Sequence, residues 1–496
     1  METYFSLKPL AAVLVSLLAA VLIVVPGQRP NVRESWTIMA AVAKFSIVLS
    51  MLPNVLQGNY PEITLFTISP GISLALKADT LGIIFALSAS LLWILTSFFS
   101  IGYVRGLPEH KQARYFASFA VCLAATMGIA FAANLLTLVI FYEILTIATY
   151  PLVIHKETPE AISAGRKYLV YLLTGGVALL LALAFTYQVA GSVDFRAGGI
   201  LSTQVGVNSV IMLLVLFLLS FGVKSAIMPL HSWLPAAMIA PTPVSALLHA
   251  VAVVKAGVFG FARCIGFIIG PGLLHESGAS GFLAWLTAAT ILIASLIALR
   301  QNNLKMRLAY STVSHLSYIV LGVTLLSPSA WIGGLLHIVY HAMMKITLFF
   351  CAGAIYVKTH CENVSELNGI GRQMPITMGA FALASLGLAG VPPISGFISK
   401  WYLVQGTLDV GQVVFAATFL ISGLLNAGYL FSIVCRAFFT RSEKFPRFGE
   451  ASPLMVIPLV LTAVFSLLLG LFPEQIPYFY QLASRVASSV LGGGGL

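Results

Sequence analysis

Uncharged apolar stretches recur from one end of this chain to the other, separated by short polar loops; Leu10–Val25, Val210–Leu219 and Val456–Leu471 lie at the centres of three of them. A helix needs about 20 such residues to cross a bilayer, where every backbone group must find its partner inside the protein. Only 9% of the residues are charged and 59% are hydrophobic, whereas a soluble domain carries about 25% charge. That composition excludes a soluble or a disordered chain. A transmembrane barrel would alternate in segments of about ten residues, and these runs do not. The chain reads as an all-α polytopic membrane protein.

Fourteen spans are expected, near 8–25, 36–54, 80–103, 113–132, 134–154, 165–190, 208–229, 243–268, 279–299, 308–327, 330–357, 375–405, 411–436 and 452–473. The first lacks a small-residue cleavage site and reads as a retained helix. Segment 59–77 alternates with period two on either side of Ser69-Pro70-Gly71, the pattern of a β-hairpin on the outer surface. The tail at 475–491 reads as an amphipathic interfacial helix, with Gly492–Gly495 frayed.

The 27 basic residues outnumber the 16 acidic ones, and their positions say why. Seventeen fall in loops that follow odd-numbered spans or at the span ends beside them: Arg29, Arg33, Arg105, Lys111, Arg114, Lys156, Arg166, Lys167, Arg300, Lys305, Arg307, Lys358, Arg372, Arg436, Arg441, Lys444 and Arg447. The opposite side holds five, Lys8, Lys77, Arg196, Arg263 and Arg485. By the positive-inside rule both termini lie on the non-cytoplasmic side of a cell membrane. The net +11 is thus an orientation signal, and no nucleic-acid partner is implied.

Five lysines remain, Lys44, Lys224, Lys255, Lys345 and Lys400, and all lie within spans, as does one acid, Glu143. Each charge at mid-bilayer costs about 2.5–3.5 kcal/mol on insertion scales, so such groups need interior partners or water. Lys44 and Lys345 fit a snorkelling or statically paired lysine as well as a working one. Lys224 and Lys400 sit beside helix breakers, Pro229 on one side and Pro392-Pro393 on the other. Two interrupted spans at matching places in two halves point to an inverted-repeat transporter. Lys224 to Lys400 is 176 residues and Glu143 to His315 is 172, which suggests five-helix repeats over 113–268 and 279–436. Residues 1–112 then form an N-terminal unit of three helices and the hairpin, and 437–496 a last helix with the amphipathic tail.

Between the breaks runs a row of titratable groups. His249 and Lys255 share one span, His315 lies in the tenth, and His337, His341 and Lys345 fall at i, i+4 and i+8 on one helical face. A His-x3-His pair can hold zinc, but no further ligand carboxylate accompanies it and a lysine follows, so no metal is expected. A proton relay fits better, since histidine titrates near neutrality and a desolvated lysine can release its proton. Glu143 and Lys224 read as the coupling pair, each supporting the other's charge. The five cysteines, with no CxxC among them, read as core fillers. No cofactor motif is present, and no catalytic residue is assigned.

Five local motifs resemble the antiporter-like subunits of respiratory complex I, Mrp antiporters and membrane-bound hydrogenases. They are Ala133–Glu143, Lys224–Ala237, Ala240–Ala250, Lys305–His315 and Pro392–Trp401, and the likeness extends over roughly 75–435. It implies fourteen helices, two inverted five-helix repeats and broken helices 7 and 12. It also implies a Glu143–Lys224 coupling pair, Lys255 as central relay, His249, His315 and His341 as relay histidines, and Lys400 near the exit. Gly396–Leu403 is most similar to the D-type Mrp Na⁺/H⁺ antiporter component, and the M-type component of complex I usually carries glutamate where Lys400 stands. The expected role is the ion-translocating subunit of a multi-subunit cation (Na⁺)/proton antiporter. The alternative is an N- or M-like proton-pumping subunit of an NADH-quinone oxidoreductase, or of a membrane-bound hydrogenase. Either way the expected partners are other membrane subunits, the bilayer, H⁺ and, for the antiporter, Na⁺.

Overall fold

The computed structural model describes residues 2–25, 29–107, 109–476 and 478–492, apart from the side chains of Leu248 and His249; the Gly492–Gly495 fraying expectation falls almost wholly outside them. Its principal helices are α1 (Lys8–Val24), α2 (Pro30–Leu49), α3 (Thr80–Gly106), α4 (Gln112–Ala130), α5 (Leu135–Val153), α6 (Pro159–Ala190) and α7 (Val207–Lys224). Then come α8 (Thr242–Ala250), α9 (Val253–Cys264), α10 (Ala279–Arg300), α11 (Leu304–Thr324), α12 (Pro328–Thr359) and α13 (Pro375–Ala389). The last are α14 (Ser395–Asp409), α15 (Val413–Phe439), α16 (Pro453–Leu471) and α17 (Phe479–Leu491). Ten helices among the described residues are long and apolar enough to cross a membrane, while α1 and α13 are apolar but shorter. The chain is a multi-pass membrane protein.

Helix starts follow local chemistry. The side chains of Asp79, Asn134, Thr158 and Asn303 accept from the amides of Gly82, Thr137, Ala161 and Met306 at 2.8–3.2 Å, satisfying donors the first turn leaves open. Two 32-residue helices, α6 and α12, each begin on a proline, Pro159 and Pro328. Asn134 bridges Asp194, and Asn303 bridges Asn363. Positions 159 and 328, 134 and 303, and 194 and 363 share one spacing, 169.

Strands Asn59–Ser69 (β2) and Ile72–Lys77 (β3) pair antiparallel about Gly71, whose φ of +76° suits a residue without Cβ. A third strand, β1 (Glu2–Phe5), pairs parallel to β2; its four residues, all exposed, gave no signal in the sequence.

Backbone breaks lie where the prolines stand. Helix α7 ends at Lys224, with Ala226 at φ +53° and Pro229 beyond; α13 ends before Gly390 (φ +93°) and Pro392-Pro393. The Met228–Pro229 and Pro392–Pro393 peptides are cis. A third interruption, at Val251–Ala252, divides the continuous 243–268 span into α8 and α9. No proline or glycine marks it.

Three expectations need correction. The tail helix α17 lays its apolar stripe (Leu482, Ala483, Val486, Val490) on protein, against α3 and α12, so its amphipathic face is filled from within the chain. Arg263 is a fully buried residue of α9 and no loop cation. Cys435 is exposed, whereas the other four cysteines are buried as core fillers should be.

Candidate functional site

Among the described membrane-length helices, α12 alone is wrapped by protein along its whole apolar window. It can therefore carry His337, His341 and Lys345, each 0% exposed, without meeting lipid. From it the polar groups run outward in two directions.

On the first-half side, Lys255 of α9 places Nζ 2.9 Å from Nδ1 of His341. Helix α9 reaches the first break through Gly257: a Cβ there would lie 2.6 Å from the amide nitrogen of Ser225, so only a glycine allows this approach. Lys224, one residue earlier, donates to the carbonyl of Tyr142 at 2.6 Å and lies 3.2 Å over its ring. Glu143 projects elsewhere. Its carboxylate rests against Gly176 of α6, Oε1 is buried without a hydrogen-bond partner, and no ion pair joins it to Lys224 among the described residues. The two are neighbours through Tyr142 rather than a closed pair. His249 lies on α8, but its side chain is outside the described residues.

On the second-half side, the ring of His341 stacks on His315 with centroids 5.2 Å apart. Nδ1 of His315 is 3.0 Å from Nε2 of His337, and Nδ1 of His337 is 2.9 Å from Oγ of Ser399. Donor directions follow from this network. Ser399 donates to the Gly396 carbonyl, so it accepts from His337 Nδ1. His337 Nε2 must then accept from His315 Nδ1, and His315 Nε2 accepts from the Asn426 amide at 3.1 Å. Asn426 Oδ1 in turn accepts from Tyr429, whose hydroxyl is 2.8 Å from Ser311, and Ser311 accepts from Lys345 at 2.7 Å. From Asn426 to Ser399 these links point one way, and Tyr429 and Ser311 join that run to Lys345.

Lys400 follows Ser399 directly. It donates to the Leu388 carbonyl and lies 5.4 Å over the Tyr318 ring. At 8% exposure it borders a largely apolar cavity of about 510 Å³ lined by Phe397, Trp401, Phe419 and Leu424. Lys44 is set apart: it is fully buried, donates to the Leu123 carbonyl at 2.8 Å and lies over Trp93.

The structure thus brings together Lys255, His341, His315, His337 and Lys400, and holds Glu143 and Lys224 at the first break. Sequence reasoning missed Ser399, Asn426, Tyr429 and Ser311, which connect the titratable groups. An amide inside an otherwise apolar span was the signal available for Asn426. It also missed the Arg263–Asp79 ion pair, whose second contact is 2.8 Å. Burial alone would raise the Asp79 carboxyl, but the Arg263 guanidinium and the Gly82 amide outweigh it and hold that group below its ordinary range.

Residues 132–426 match the family described as NADH:quinone oxidoreductase/Mrp antiporter, transmembrane region. The N subunit of the NADH-quinone oxidoreductase of Desulforudis audaxviator is 34% identical over 77% of this chain and 80% of its own length. The D component of the Na⁺/H⁺ antiporter of Bacillus subtilis is 24% identical over 96% of both. A chain of the Mrp complex from Dietzia superposes with a TM-score of 0.87 at 21% identity, covering 98% of each, a likeness of fold.

Proposed function

Because the chain belongs to the NADH:quinone oxidoreductase/Mrp antiporter transmembrane family, we propose that it is the ion-translocating subunit of an Mrp-type monovalent cation/proton antiporter. It works among other membrane subunits and passes protons along a relay at mid-membrane depth. One observation carries this reading: a buried row, Lys255–His341–His315–His337–Ser399, that runs from α9 to α14 and ends one residue before Lys400.

The relay divides into two segments. From His315 to Ser399 it is hydrogen-bonded throughout, so a shift of tautomers moves a proton between His315 and His337, and Ser399 passes one on when its hydroxyl turns away from the Gly396 carbonyl. From Lys224 to Lys255, and again between the stacked rings of His341 and His315, it needs water, and Ser225 Oγ, Ser245 Oγ and His341 Nε2 are buried polar atoms without a protein partner. Glu143 acts as the gate: with its carboxylate turned toward Lys224 it holds that proton, and turned onto Gly176 it lets the proton go. His249 takes part on the Lys224–Lys255 side.

The fold supports two inverted five-helix repeats, 113–268 and 279–436, within fourteen crossings. The shared spacing of the α6 and α12 starts and of the two asparagine bridges is what such repeats produce. The loop charges favour a cell-membrane orientation with both termini and the hairpin on the non-cytoplasmic side.

A second reading places the same relay in a redox-driven pump, as an N- or M-like subunit of an NADH-quinone oxidoreductase, or in a hydrogenase complex. The 34% identity to the Desulforudis oxidoreductase component favours it; near full-length coverage of the Bacillus antiporter component favours the antiporter. Purification of the native complex decides between them. Small hydrophobic partners alone support the antiporter, and co-purified iron–sulfur or flavin subunits support the pump. Full proton-coupled transport by Lys224→Ala vesicles would refute the route in both.

A further inference from the structure

Away from the relay, the loop before α4 meets the loop between α5 and α6. Glu109 and His110 come from the first, His155 from the second. One ligand atom from each lies within 4.8 Å of the other two. His155 Nε2 and Glu109 Oε2 are 3.4 Å apart. Ligands at bonds of about 2.0–2.1 Å on a tetrahedral zinc are separated by about 3.3–3.4 Å, so this pair already has the spacing. His110 is 44% exposed and stacks on His155 with centroids 5.0 Å apart, leaving it free to turn inward.

A second observation points to a ligand. His155 is 1% exposed, yet its Nδ1 has no hydrogen-bond partner and its Nε2 faces only the Glu109 carboxylate, at 3.4 Å. A buried imidazole normally satisfies at least one nitrogen, and a metal-bound imidazole uses one nitrogen for the ion. Nearby, Glu157 lies 3.7 Å from His110 Nε2 and binds Lys111 and Arg114 at 2.6–2.8 Å. It therefore offsets those two cations beside the site, with both of its oxygens engaged.

We propose that Glu109, His110 and His155 form a binding site for one borderline divalent transition ion of the Zn²⁺ type, with water as fourth ligand. Two nitrogens and a carboxylate select such an ion over Mg²⁺ or Ca²⁺, which prefer all-oxygen shells. Bound there, the ion would pin the α3–α4 and α5–α6 connections to each other.

The test uses the purified, chelator-stripped full chain titrated with Co²⁺, read by visible d–d absorption, and with Zn²⁺ in competition. Wild type is expected to take up one Co²⁺ in a four-coordinate site displaced by Zn²⁺. His110→Gln and Glu109→Gln should each weaken binding by at least about tenfold, and His155→Gln should abolish it, while His275→Gln leaves it unchanged. His110 is exposed, so its variant decides the matter even if His155→Gln fails to fold. Absence of a stoichiometric signal in wild type, or binding unchanged in both His110→Gln and Glu109→Gln, would overturn the assignment.

Discussion

The ammonium nitrogen of Lys255 lies 2.9 Å from Nδ1 of His341, so a helix of the first half and the central helix of the second share one hydrogen bond. One proton serves that bond, whichever residue holds it. On the proposed route, transfer between the halves is then a displacement within a single contact. Lys255→Met is expected to lower proton-coupled transport in reconstituted vesicles by roughly a hundredfold, the usual scale for losing a positioned proton carrier. Yield of the assembled complex should not fall. Undiminished transport would remove this contact from the route.

Gly176 gives a test of Glu143 that leaves the carboxylate in place. A methyl group on Gly176 overlaps the observed position of the Glu143 side chain. Gly176→Ala should bias the carboxylate toward Lys224 and slow turnover by about tenfold, with an overpacking cost of roughly 1–3 kcal/mol. Vesicle flux and thermal unfolding separate the two effects. A variant that loses stability but retains flux would show that the swing is not part of the cycle.

Asn426 donates to His315 Nε2 and so fixes which nitrogen of His315 keeps its hydrogen. Asn426→Leu preserves volume and removes that donor. Flux should fall by roughly tenfold or more, and the histidine ¹⁵N signals should show a changed tautomer at His315. Lys345→Met, at the head of the same chain of bonds, should move those signals in the same sense but less. An unaltered tautomer in Asn426→Leu would mean that the ring is set by stacking instead.

Asp79 and Arg263 form a buried pair, 15% and 1% exposed. Asp79→Asn leaves the guanidinium uncompensated and should destabilise the chain by about 3–5 kcal/mol. Because the folded carboxyl is held below its ordinary range, its contribution is complete above the unfolded pKa of ~3.9 and is lost only as pH falls through the lower folded value. The wild-type melting temperature should thus be insensitive to this group from about pH 7 to 5, dropping under about pH 4. In Asp79→Asn that acid-side drop should shrink.

What the sequence made legible was whatever violates a membrane's chemistry. A lysine or glutamate in an apolar run costs free energy there and stands out, so Glu143, Lys224, Lys255 and Lys400 were found by elimination. Proline leaves a mark as well, and the breaks after Lys224 and Ala389 were visible. Groups that cost little alone were not. Ser399 and Ser311 pass unnoticed in any span, and Arg263 looked like a loop residue because its partner, Asp79, lies 184 positions away. The break at Val251–Ala252 is made by packing and has no breaker residue at all.

The approach of Gly257 to Ser225 has a consequence for how this chain tolerates change. A lysine in the row can be replaced by an uncharged residue of similar bulk and leave a folded but idle protein. Any side chain at Gly257 instead pushes the interrupted backbone away from its neighbour and moves Lys224 with it. In a saturation mutagenesis survey the least forgiving positions should therefore include a residue with no charge, no hydrogen-bonding side chain and no proton to give.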